Sequence, residues 1–185
     1  MYRGIVWGIL ASLGMTATAS AGLLPVNVTV VPEGDNYRFS YSVLLQSNSI
    51  LKSGDFFTIY DFNGLVDGSN LQPAGFTFSS AMSGQTPDQV VPYDDPSKPN
   101  ITWTYTGDTK TGEIILGNFS ALSRYGETDV DNFTAQSHRQ VGDRVNNNIT
   151  ETEVPVPLDA PEPGTALLAL VGIPVALGVR RWRRG

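Results

Sequence analysis

The sequence predicts an all-β domain, a single antiparallel sandwich or partly open barrel, with an N-terminal signal helix before it and a C-terminal transmembrane helix after it. Three observations carry that reading. Apolar and polar residues alternate with period two from Val26 to Phe133, turn residues interrupt the alternation at short intervals, and the two charge-poor apolar runs stand at the two ends. The boundaries expected are 1–21 for a signal peptide, 22–150 for the β domain, 151–164 for a proline-rich stalk and 165–185 for a membrane helix with an arginine tail.

The strongest strand is Tyr37 to Val43, where residues 37, 39, 41 and 43 are apolar or aromatic and Arg38, Ser40 and Ser42 are polar. In Ile101 to Thr106, Ile101, Trp103 and Tyr105 oppose three threonines. Both fit half-buried strands. Val26–Val31, Phe56–Phe62, Phe76–Ser79 and Glu113–Phe119 complete the set. Between them lie turn sequences such as Glu33-Gly34-Asp35-Asn36, Lys52-Ser53-Gly54-Asp55 and Lys110-Thr111-Gly112. Six or more short strands with no amphipathic helical pattern point to a sandwich or barrel. Gly84 to Asn100 holds prolines 87, 92, 96 and 99 and reads as a long surface loop. No internal repeat is visible, which argues against a solenoid.

Composition narrows the chemistry. The chain has 185 residues and no cysteine, so thiol catalysis, iron–sulfur clusters and cysteine-based zinc sites are excluded. Between Gly22 and Pro155 there are sixteen Asp and Glu against seven Lys and Arg, a net −9. Nucleic acid, which needs a basic footprint, is not an expected partner.

The N-terminus has the three parts of a secretory signal: Arg3, an apolar run from Ile5 to Met15, and small residues at Ala19 and Ala21, with Gly22 following. The run is shorter than the ~20 residues a span needs, which favours a cleaved signal over an anchor. Signal peptidase and the export machinery are the partners this implies. At the other end, Glu153 to Pro163 holds four prolines and reads as an extended stalk. Thr165 to Val179 is free of charge and about 22 Å long as a helix. Arg180, Arg181, Arg183 and Arg184 surround Trp182 and are expected to stay cytoplasmic, leaving the β domain outside.

The ordered triple Pro161-Glu162-Pro163-Gly164, apolar helix Thr165 to Val179, and arginine cluster Arg180 to Arg184 resembles the PEP-CTERM sorting signal, a tail also catalogued as an ice-binding-protein C-terminal domain. The resemblance covers about 25 residues. It implies recognition and removal of the tail by exosortase, a membrane-embedded cysteine protease–transpeptidase, in bacteria that make exopolysaccharide and biofilm. SGDFFTIYDFNG (Ser53 to Gly64), DDPS (Asp94 to Ser97), TWTYTG (Thr102 to Gly107) and LGNFSALS (Leu116 to Ser123) are similar to a pattern in the β domains that carry such tails; they imply no activity.

No catalytic residue is expected. His138, the single histidine, lies in the polar stretch Gln136 to Gln140, read as solvated loop, and no G-x-S-x-G elbow surrounds any serine. Asp94 with Asp95, and Asp129 with Asp131, are candidate calcium ligands; solvated loop acids are the plainer reading, since neither pair fits an EF-hand, and no cofactor is expected. Thr102, Thr104 and Thr106 share a face, but one strand is not an ice-binding array, and threonine simply suits strands. Tyr60, Tyr93, Trp103 and Tyr125 are the aromatics able to stack on sugar rings, against core packing as the alternative. Asn27, Asn100, Asn118, Asn132 and Asn148 begin Asn-x-Ser/Thr triplets, read as chance in a chain this rich in those residues. The expected function is an exported, non-catalytic cell-surface or matrix domain, membrane-anchored as a precursor. The alternative is a carbohydrate-binding or adhesive module for exopolysaccharide, with or without calcium.

Overall fold

A computed structural model describes residues 22–158, all of it strand, turn and loop. The strands are β1 (Leu23–Glu33), β2 (Asn36–Leu45), β3 (Ser49–Leu51), β4 (Phe56–Ile59), β5 (Phe76–Ala81), β6 (Asn100–Tyr105), β7 (Lys110–Thr111), β8 (Ile114–Ser123), β9 (Glu127–Arg139) and β10 (Val145–Val156). They form two antiparallel sheets. The smaller has the order β1-β2-β8; in the larger, β5-β6-β4-β9-β3-β7 form a path and β10 pairs with the remaining side of β9. The domain is therefore all-β, as expected. The expected signal and C-terminal helices lie outside the described residues.

Alternation along β2 decides how the sheets meet. Phe39, Tyr41, Val43 and Leu45 are fully buried, while the residues between them are half-buried on the other face. Opposite them, the larger sheet presents Phe57 and Ile59 from β4, Ile101, Trp103 and Tyr105 from β6, and Phe133 and Ala135 from β9. Phe57 is the hub: its ring stacks on Trp103 (5.4 Å) and Phe133 (5.4 Å) and meets Phe119 of the facing sheet edge-on at 4.9 Å. Such pairs add roughly 0.5–1.5 kcal/mol each beyond area burial. Without disulfides, this aromatic interior is what holds the sheets together.

The β1–β2 hairpin turns on Gly34-Asp35, with Gly34 at φ +62°, the region a glycine enters without a Cβ penalty. The segment before β5 closes the free edge of β8: Leu65 bridges to Ser123 and Leu71 to Ser120. Covering an edge in this way removes a template for unwanted pairing.

Two expectations about element bounds need correcting. The strand expected over Phe56–Phe62 stops at Ile59, because Asp61 takes φ +52° and turns the chain away. Residues 151–156, expected in the stalk, are strand instead. β10 runs to Val156, pairing Glu151–Val156 with Asn132–Glu127, and Val154 is 1% exposed in the core. Pro155 is tolerated because it lies on an edge strand, whose outward N–H has no ladder partner to lose.

Candidate functional site

Two polar clusters lie on the larger sheet, one against the long loop that leads from β5 to β6 and one at the β3–β4 turn. The loop is not a free surface excursion. Gln85 O accepts from Thr58 Oγ1 (2.6 Å), and Thr86 Oγ1 pairs with Tyr60 OH (2.7 Å). Thr58 also pairs with Thr102 Oγ1 at 2.8 Å, and the register sets Thr102, Thr58 and Thr134 in one row across three strands, all buried. Gly84 lets the loop descend: a Cβ there would lie 3.0 Å from both Asn100 Cβ and Thr58 Cγ2.

The first cluster gathers where the chain leaves β4. Asp61 is 1% exposed. Its amide donates to Asn100 Oδ1 (2.8 Å), and Asn100 Nδ2 donates to Asp94 Oδ1 (2.8 Å). Asp61 Oδ1 accepts from the Asp95 amide (3.0 Å), whereas its Oδ2 is buried with no hydrogen bond and has Lys98 Nζ at 3.6 Å. Lys98 also reaches Asp95 Oδ2 at 3.3 Å. On the far side, Asn132 Oδ1 holds the Tyr93 amide and Asn132 O holds the Tyr60 amide, both at 3.0 Å. Burial raises the Asp61 pKa; the Asp95 amide opposes it, the Asp131 charge adds to it, Lys98 lowers it and the Asp95 charge raises it further. Asp95 is held below the usual carboxylate range by Ser97, whose hydroxyl and amide both donate to it, with Lys98 contributing less.

Of the candidate calcium ligands, Asp94 and Asp95 do come together with Asp61, and Asp131 is close enough to act on Asp61 electrostatically. Asp129 does not join them; its Oδ1 accepts the exposed Val130 amide. Calcium takes six to eight converging oxygens. Here Asp94 Oδ1 is engaged by Asn100, Asp95 Oδ1 by Ser97 and Asp95 Oδ2 by Lys98. Among the described residues, no group of three or more acidic or histidine side chains is placed to hold a metal ion.

His138 is not a solvated loop residue. It lies on β9, and its Nδ1 is 3.1 Å from Oδ2 of Asp55, itself 1% exposed. Asp55 Oδ2 also accepts the Lys52 amide (2.7 Å), closing the Lys52–Asp55 turn. Lys52 Nζ in turn pairs with Asp143 at 2.5 Å and holds its carboxyl below the ordinary range. A histidine oriented by a carboxylate is two thirds of a hydrolytic triad, but no hydroxyl bonds the ring among the described residues. The pair ties β9 to the β3–β4 turn.

The sugar-stacking candidates divide sharply. Trp103 and Tyr60 are fully buried and unavailable; Tyr125 is half-buried, and Tyr93 is 71% exposed beside the acidic cluster. Thr102, 3% exposed, cannot belong to a flat threonine surface. Three of the Asn-x-Ser/Thr asparagines are structural pins: Asn100, Asn132, and Asn148, whose Nδ2 donates to Leu23 O at 3.0 Å. Sequence reasoning missed Asp55 and Asp61. Asp55 had one signal, its place at the end of a Lys-Ser-Gly-Asp turn. Signal cleavage residues Ala19 and Ala21, the sorting motif Pro161 to Gly164 and the arginines at 180, 181, 183 and 184 lie outside the described residues; Gly22 is the first residue described.

No protein-family model matches this chain, and no curated protein matches it in sequence.

Proposed function

We propose that the chain is an exported, non-catalytic surface or matrix protein whose β domain is delivered through its C-terminal tail by an exosortase-type membrane protease. The observation that carries this is the ordered tail: Pro161-Glu162-Pro163-Gly164, a charge-free helix-forming run, then four arginines. Two structural facts support it. Strand β1 runs from Leu23, shortly after the small-residue cleavage site, and β10 stops at Val156, five residues before Pro161. Five residues span at most about 17 Å extended, a short tether between the last strand and the motif a membrane protease would grip. The residues that would cut the tail belong to the partner. Deleting Pro161 to Gly185 is expected to abolish processing and move the protein away from its normal location, followed by cell fractionation and immunoblotting. Unchanged processing and location would contradict the proposal.

A second reading, an adhesive module for acidic or neutral exopolysaccharide, is favoured by one observation. Tyr93 stands 71% exposed beside a charged rim built from Asp94, Asp95 and Lys98. An exposed aromatic next to hydrogen-bonding groups is the arrangement that stacks and orients a sugar ring. Glycan-array binding that Tyr93→Ala removes would support it. Absence of binding with and without calcium would sink it.

A further inference from the structure

The first described residue is held unusually closely. Gly22 takes φ +144°, and a Cβ on it would lie 2.3 Å from Asn148 Oδ1 and 2.9 Å from Asn148 Cγ, so only glycine fits. Its nitrogen donates to Ser49 Oγ at 2.8 Å, and its carbonyl accepts the Gln46 amide at 3.1 Å. Asn148 Nδ2 holds the next carbonyl, that of Leu23, at 3.0 Å. Leu23 itself is fully buried against the core. Three elements, β1, β3 and β10, therefore converge on one backbone nitrogen and its neighbours.

The seat has acceptors to spare. Asn148 Oδ1 and Gln46 Oε1 are buried and have no hydrogen-bond partner. Buried acceptors without donors are uncommon and cost stability. A peptide nitrogen at Gly22 carries one hydrogen, and Ser49 Oγ takes it. A free amino group there would carry two or three. The amino nitrogen and the Cβ position share one Cα and lie about 2.5 Å apart, and Asn148 Oδ1 lies 2.3 Å from that Cβ position, so this partnerless acceptor is within about 5 Å of the nitrogen.

We propose that the amino group released at Gly22 is a structural group of the mature domain, docking between Ser49 Oγ and Asn148 Oδ1 so that removal of the signal peptide completes the hydrogen bonding at the edge of β1. This deepens the export reading and rests on it. The step is a hydrolysis: water breaks the Ala21–Gly22 amide, its hydroxyl goes to the Ala21 carbonyl carbon and its proton to the Gly22 nitrogen. Cleavage one bond further along would remove Gly22 from the seat, cleavage beyond Leu23 would also take that side chain from the core, and cleavage further back would leave the seat with a single donor.

The full chain, expressed with its own signal peptide and recovered after export, provides the test. Intact mass gives the new terminus, and an amine-acylating reagent near neutral pH, followed by peptide mapping, reports the reactivity of the Gly22 amino group. The expected result is a chain beginning at Gly22 whose amino group is acylated at least tenfold more slowly when folded than in urea. A second chain, with Ser-Thr inserted between Ala21 and Gly22, keeps the amide but moves the free amine outside the seat. It is expected to fold, to label as fast folded as unfolded, and to melt about 3 °C lower. A mature chain that begins elsewhere defeats the cleavage reading. One that begins at Gly22 yet labels equally fast in both states, with the insertion leaving Tm unchanged, defeats the seat alone.

Discussion

The two faces of the larger sheet are both buried, by opposite means. The inner face is closed by aromatic rings: Trp103, Phe57 and Phe133 against Phe119 of the other sheet. The outer face, one residue out of step on the same strands, is closed by hydroxyls: Thr102, Thr58 and Thr134 beneath Gln85 and Thr86. Packing is non-directional and tolerates small shifts, whereas a hydroxyl row is worth having only while every member has its partner. The inner face should therefore govern global stability, and the outer face should govern whether the loop after β5 stays down.

Removing a hub of the inner face tests that division most severely. Trp103→Ala should cost about 3–5 kcal/mol, read as a lower urea midpoint with little native protein left at moderate temperature. Trp103→Phe should cost much less than its lost area suggests, because Trp103 Nε1 is buried with no acceptor and the change deletes that donor. On the outer face, Thr58→Val keeps the shape but strands the Thr102 hydroxyl and leaves Gln85 O only the longer bond from Tyr60 OH at 3.4 Å. The expected cost is about 1–3 kcal/mol, with faster proteolytic nicking between Met82 and Pro99 as the distinguishing sign. If Thr58→Val destabilised globally without loosening that loop, the division between the faces would fail.

The smallest effect concerns charge at the rim of the outer face. Burial, with Asp131 and Asp95, raises the Asp61 pKa, so the folded chain holds that proton more tightly than the unfolded one. The Asp61 charge therefore costs stability above its folded pKa, and the cost disappears as pH falls below the unfolded value of about 4. Asp61→Asn, which suits the positive φ, should raise Tm slightly at pH 7 and leave it unchanged near pH 3. Asp95, Asp143 and Glu33 have lowered values, set by Ser97, Lys52 and Arg38 respectively. Their stabilisation is present above the unfolded pKa and is lost as pH falls through the folded one, so the wild-type chain should still weaken on strong acidification.

Much of this architecture is legible from period-two alternation. Tyr37 to Val43 and Ile101 to Tyr105 point their apolar residues to the core as read, because each has one wet or polar face to contrast with the dry one. The failures share a physical cause. β9 and β10 alternate weakly, with Asn, Thr, Glu and Asp in the ladder: Glu127 to Val130 of β9 is exposed on both faces, and β10, an edge strand, carries Pro155 near its end. Local composition therefore read His138 as loop and Glu151 to Val156 as stalk. The outer-face threonines gave no sign that a loop folds back on them. That cover comes from Gly84 and from hydroxyl pairing across more than twenty residues, which no local pattern carries. Asp55 and Asp61 became visible only when the turns beside them brought distant partners, His138 and Lys98, into reach.

The proposal stands or falls on how the two termini are processed, because the features that carry it are the small-residue site before Gly22 and the ordered tail from Pro161. Intact mass spectrometry of the protein recovered from its native host addresses both at once. The account predicts a chain that starts at Gly22 and ends upstream of Thr165, with any added mass at the new C-terminus. A full-length chain that keeps its first 21 residues, its apolar run and its terminal arginines would contradict it.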